Sequence, residues 1–243
     1  MKKLSILPQL AVSASLVFAG FAVQADEVKG NAAAGNPKVW LCVGCHSIPD
    51  YRADYPFVYK VPMLGGQNAA YITSALAAYK KGERKHPTMR AIAGSLSDQD
   101  MARRILCCAN SQLTYQPIEV IFRGIFMKVA LVTAVFLSSI GLTNLANAAS
   151  VDKGQALVEK ANCASCHGAG LNAPILPIYP KLSGQYSDYV YYALKAYKVG
   201  NGNAQYGRNN AIMGSQVQVF SDADLQDIAA YIASLPGNFV IKK

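Results

Sequence analysis

The chain has 243 residues, room for two domains of modest size, each near the lower limit for a self-sufficient core. Its net charge is +9, but no run of basic residues is interleaved with aromatics, which argues against nucleic acid and turns the positive balance toward acidic proteins. About half of the residues are apolar, yet the excess collects in two stretches, 5–23 and 129–146, so the remainder reads as soluble and globular.

Residues 1–25 carry Lys2 and Lys3, an apolar stretch through Phe21, and small residues at Val23 and Ala25, the grammar of a secretory signal peptide. Pro8, Gln9 and two serines interrupt the stretch and weigh against a membrane anchor. A first domain is expected over 26–108. In it a helix over about 31–43 leads into Cys42-Val43-Gly44-Cys45-His46, and a second spans about 68–81 with Gly82 as its stop. Ser97 and Asp100 open a closing helix, but Arg104 then falls on the stripe that should be buried, so this helix is expected to pack poorly. The stretch 109–126 has no clear period and reads as a linker.

At Met127 the export grammar restarts: Lys128, an apolar run from Val129 to Leu142, then Ala146-Asn147-Ala148 before Ala149. Segment 127–149 is expected to act as a second signal peptide, the joined chain arising by read-through between two neighbouring secreted proteins. Left uncut, 129–146 would instead tether the chain to a membrane. The second domain, 150–243, is expected to place helices over about 152–164 and 187–198, with Gly200 as a stop. A final helix opens on the capping pattern of Ser221 and Asp224 and buries Leu225, Ile228, Ala229 and Ile232.

Most of the first half reappears in the second at an offset of about 120 residues. Cys42 to His46 matches Cys163-Ala164-Ser165-Cys166-His167, and Pro62-Met63-Leu64-Gly65-Gly66-Gln67 matches Pro180-Lys181-Leu182-Ser183-Gly184-Gln185. Tyr71 to Gly82 matches Tyr189 to Gly200, and Met89 matches Met213. Each half is therefore one copy of a single domain.

Two cysteines separated by two residues, with histidine directly after, suit thioether bonds to one haem and ligation of its iron by the histidine. A thiol redox pair or half a zinc site is the bland alternative; two copies behind export signals argue against both. That reading makes Cys42, Cys45, Cys163 and Cys166 the attachment points of two haem c groups and His46 and His167 the proximal iron ligands. Met89 and Met213, at the same repeat position, are the candidate sixth ligands, with His86 the competitor in the first half and expected in an exposed loop. The carbonyls near Pro62 and Pro180 are candidates to accept the ligand histidine's proton, and Leu64 and Leu182 to pack on the porphyrin. Cys107 and Cys108, adjacent in sequence, take no assigned function. Lys60, Lys80, Lys81, Arg84, Lys85 and Arg90 form a basic cluster suited to steering acidic partners.

These motifs resemble class I cytochromes c, more narrowly the small bacterial ones with Pro-x-Leu-x-Gly-Gln after the haem motif, and the tandem arrangement resembles diheme cytochrome c4. The resemblance covers about 27–102 and 150–236. It implies an all-α fold of two small domains, each a few helices around one covalent haem, with the ligands named above. It also implies a periplasmic electron carrier, not an enzyme, serving acidic periplasmic redox proteins or a membrane oxidase. The alternatives are the haem-bearing subunit of a periplasmic dehydrogenase or a diheme peroxidase.

Overall fold

The structure is a computed structural model in which residues 40–101 and 149–240 are described. The leader, the linker, the 127–148 segment, Cys107, Cys108 and the altered stripe at Arg103 and Arg104 lie outside these residues. Both halves are helical. In the first, α1 is Trp40–His46, α2 Ala69–Lys81 and α3 Pro87–Gly94. Residues 98–101 begin a further helix, with Ser97 Oγ accepting from Asp100 N and the Asp100 carboxylate from Ser97 N.

In the second half α4 is Val151–Lys160, α5 Ala164–His167, α6 Ser187–Val199, α7 Ala211–Val217 and α8 Asp222–Ser234. The expected helix over 152–164 thus divides. It ends at Lys160, the chain turns through 161–163, and α5 restarts after Cys163, whose N–H reaches back to the Val158 carbonyl. The short helices α3 and α7, each carrying the candidate methionine, lie in stretches for which the sequence pattern assigned no element. Each is seven or eight residues long, too short for a periodic pattern to stand out in sequence.

The second core is the larger. Val158, Leu171, Val190, Val217, Phe220, Leu225, Ile228, Ala229 and Ile232 pack together, joining α4, α6 and α8. Gly154 lets α4 and α8 approach closely: a Cβ there would stand 2.0 Å from the Asp227 carbonyl oxygen and 2.8 Å from Tyr231 Cβ. The α8 amino end carries the full capping box between Ser221 and Asp224. In the first half Ile72, Leu96 and Met101 form the buried cluster, with Cys42, Val43, Ala69, Tyr71 and Leu76 against it.

Two short antiparallel ladders add to the helices. β1 (Arg52–Ala53) pairs with β2 (Tyr59–Lys60) within the first half. β3 (Arg84–Lys85) pairs with β4 (Gly207–Arg208), so that Arg84 faces Arg208 and the ladder joins the two halves. Beyond α8 the chain passes Ser183 and Gly184, and then the Val240 N–H donates to the Gly65 carbonyl of the first half. Among the described residues no helix is long and apolar enough to cross a membrane.

Candidate functional site

Each half builds its site in the same steps. α1 brings Cys42 and Cys45 to neighbouring positions three residues apart and delivers His46 as its last residue. In the second half Cys163 stands at the start of α5, while Cys166 and His167 lie within it. All four cysteines are half-buried, and burial pushes the Cys163 thiol above its ordinary range.

The histidines are oriented by backbone. His46 Nδ1 lies 2.7 Å from the Pro62 carbonyl oxygen, and His167 Nδ1 lies 2.9 Å from that of Pro180. A carbonyl only accepts, so Nδ1 carries the proton and Nε2 is left with the lone pair that a metal would take. Burial lowers both imidazole pKa values, an effect the carbonyl bonds oppose; at His46 the neighbouring His86 adds a further, smaller lowering. The rings are therefore held neutral, the form that ligates.

Met89 and Met213 each occupy the third position of their short helix, and the side chain of the residue before the helix holds their backbone. Asn210 Oδ1 accepts from Met213 N at 2.8 Å; His86 Nδ1 accepts from Met89 N at 3.4 Å. His86 is thus a half-buried capping residue, not part of an exposed loop: its ring lies edge-on to Tyr59 and caps α3. Met213, Leu182 and Cys163 all pack against the second core, which gathers candidate ligand, candidate packing residue and attachment point around one cluster. Leu64 is half-buried and its carbonyl accepts from Gln67 N.

The basic cluster of the first half is more committed than its composition suggests. Arg84 is drawn into a nest of phenols, bonding Tyr71 Oη and Tyr197 Oη at 3.2 Å each. Lys60 pairs with Asp50, Lys80 with Asp98 and the Leu96 carbonyl, and Lys85 with the Asn201 carbonyl. Lys81 and Arg90 remain exposed.

Sequence reasoning missed how Gln67 and Gln185 work. Gln67 Nε2 donates to the Lys181 carbonyl and its Oε1 accepts from Lys181 N, both at 3.0 Å. Gln185 does the same to Met63, again at 3.0 Å each way. The repeated glutamine in both motifs was the available signal. The arginine pair was hidden by a gap: the offset between copies is 118 residues at Gly82 and Gly200 but 124 at Met89 and Met213. Allowing that insertion aligns Arg84 with Arg208 and His86 with Asn210.

A cofactor fits this donor set. Two thiols, a neutral imidazole with its distal nitrogen open, and a thioether recur in both halves in the same order. Two buried polar atoms beside them, Ser47 Oγ next to His46 and Asn172 Oδ1 in the turn after His167, have no protein partner.

The profile of the cytochrome c family matches residues 151–236. Cytochrome c-554(548) of Halomonas halodenitrificans is 42% identical over 72 residues, 30% of this chain and 82% of that one. The thiosulfate dehydrogenase electron acceptor of Stutzerimonas stutzeri is 26% identical over 231 residues, 93% of this chain and 94% of that one. The crystal structure of reduced recombinant cytochrome c4 from Pseudomonas stutzeri superposes with a TM-score of 0.56 at 24% identity, covering 85% of this chain and 100% of that one.

Proposed function

The chain belongs to the cytochrome c family and carries covalently bound haem c, and on that footing we propose that it is an exported one-electron carrier with one haem in each half. The observation that carries this reading is the twofold recurrence of an imidazole whose Nδ1 is committed to a proline carbonyl beside a cysteine pair. Cys42, Cys45, Cys163 and Cys166 would hold the two groups, His46 and His167 would ligate from one side, and Met89 and Met213 from the other. When bound, the haem would supply the one-electron chemistry at the iron that these side chains would hold.

The chain's own residues do the rest. The Pro62 and Pro180 carbonyls fix each imidazole's tautomer and raise its basicity. Asn210 and His86 pin the backbone at each methionine so that the thioether is presented in one position. Leu182, Val158 and Phe220 would give the second site an apolar wall, since Val158 and Phe220 belong to the cluster against which Leu182, Met213 and Cys163 pack.

The same reading places the protein in the periplasm, with the second half beginning at Ala149 after loss of its leader-like segment. The partner class it favours is an acidic redox protein or a membrane oxidase. A second reading, the electron-accepting subunit of a dehydrogenase, draws on the full-length likeness to the thiosulfate dehydrogenase electron acceptor. A peroxidase would need an open axial position, which matched methionines would close.

The test is on exported protein. Haem-stained bands on a denaturing gel, masses for two haems, and a redox titration with two one-electron steps and the absorption of His/Met-ligated iron are expected. Colourless material would end the reading. Co-purification with a catalytic subunit would select the dehydrogenase reading, and peroxide turnover the peroxidase one.

A further inference from the structure

We propose that the first half and the half beginning at Ala149 form one particle through their mutual face alone, as two separate chains with no covalent connection. This rests on the processing reading above and goes beyond it, since two secreted cytochromes need not associate.

The face is reciprocal. Gln67 grips Lys181 and Gln185 grips Met63, the same residue in each copy making the same two bonds to the same place on the other. This is the signature of an isologous contact between like units. Both carboxamides are buried, at 5% exposure, so each relies on the opposite half for the bonds that make burial tolerable. Around them, Asn68 Nδ2 donates to the Tyr179 carbonyl at 3.1 Å and Lys181 Nζ to the Gly66 carbonyl at 2.9 Å.

A second zone lies at the β3–β4 ladder. Arg84 reaches Tyr197 of the other half, and Phe57 stacks on Tyr192 with ring centroids 4.9 Å apart. At the edge, Asp188 accepts from Lys60 N and pairs with Arg52. None of these contacts uses residues 102–148, so severing the chain there deletes none of them.

The new amino end is also accommodated. Hydrolysis of the Ala148–Ala149 bond consumes one water and leaves a carboxylate on Ala148 and an ammonium on Ala149. The cap of α4 survives, because Ser150 Oγ still accepts from Lys153 N and Ser150 N still donates to Asp227. That a chain the size of one half exists as a protein is shown by cytochrome c-554(548), which matches over 82% of its length.

The experiment expresses the whole gene in a host that exports and matures c-type cytochromes, with an affinity tag after Lys243, and reads intact mass and sedimentation together. Two haem-bearing polypeptides in equal amounts, the second starting at Ala149, are expected in one particle of their combined mass. The double variant Gln67→Ala, Gln185→Ala is expected to raise the dissociation constant at least about tenfold, since four buried bonds are lost, while each half keeps its visible spectrum as proof of folding. Two polypeptides that sediment apart in the native protein overturn the pairing and leave the processing reading standing. A single uncut chain overturns the processing reading, and the two-chain state with it.

Discussion

The backbone N–H of Met213 is held by the side chain of Asn210 at 2.8 Å, so the candidate ligand's position is set by the residue that starts its helix. In the first half the same place is taken by His86, with a longer bond of 3.4 Å to Met89 N. Equivalent positions in the repeat thus use different chemistry for one task.

Replacing Asn210 with alanine removes that cap. The expected cost is about 1 kcal/mol in denaturant unfolding of the second half, with weakened absorption from methionine-ligated iron in that half only. An unchanged spectrum and midpoint would show that the cap does not position Met213.

Gly154→Ala tests the contact between α4 and α8. The added methyl would meet the Asp227 carbonyl oxygen at 2.0 Å, and backbone cannot yield as a side-chain tip can. A loss of about 1–3 kcal/mol is expected from the forced separation, read as a lower urea midpoint for the second half.

Asp227 gives the second half a pH dependence. Burial pushes its carboxyl up, but the Ser150 N–H at 2.7 Å and the Lys153 ammonium at 2.9 Å outweigh this and bring it below the usual carboxylate value. A folded pKa below the unfolded one means stability that is present above about pH 4 and is lost as pH falls through the folded value. Asp227→Asn should therefore destabilise by about 1–3 kcal/mol at pH 7 and by much less at pH 2–3. Equal loss at both pH values would assign the effect to shape, not charge.

Tyr197 should titrate early. Burial raises its phenol, yet the guanidinium groups of Arg84 and Arg208 more than offset this and bring it below its ordinary value. Tyr71, bonded to the same Arg84, is pushed up to about 12. In an alkaline titration followed by phenolate absorbance, one tyrosine should ionise ahead of the others, and Tyr197→Phe should remove that step. A variant curve that superposes on the native one would contradict the assignment.

The parts of this protein that sequence disclosed are those fixed by local pattern. Helix α8 was readable because Ser221 and Asp224 cap it and Leu225, Ile228, Ala229 and Ile232 recur at helical spacing, all four of them buried. Gly82 stops α2 in a left-handed conformation, φ 80°, as a glycine at that place suggests. The cysteine pairs and histidines were visible because they recur at the same short spacing in both halves. What stayed hidden depends on chain segments far apart in sequence. The Arg84 and Arg208 ladder and the gripping glutamines need the two halves to meet, and His86 meets Tyr59 from 27 residues away, which no window of neighbouring residues records. Composition also could not show how the basic cluster divides: Arg84 sets its guanidinium among phenols inside the molecule, while Lys81 and Arg90 stay exposed.

The glycines just before the gripping glutamines have a consequence of their own. A Cβ at Gly65 would lie 2.4 Å from the Val240 carbonyl oxygen, and one at Gly66 would lie 2.1 Å from that of Asn238. Across the molecule, a Cβ at Gly184 would lie 3.0 Å from Gly237 Cα. The stretch 237–240 is thus wedged between matching loops like a keystone, seated only because both loops lack side chains there. Loosening that one peptide, by clipping after Leu235 or by giving Gly66 a methyl, would slacken the loops that steady His46 and His167 together.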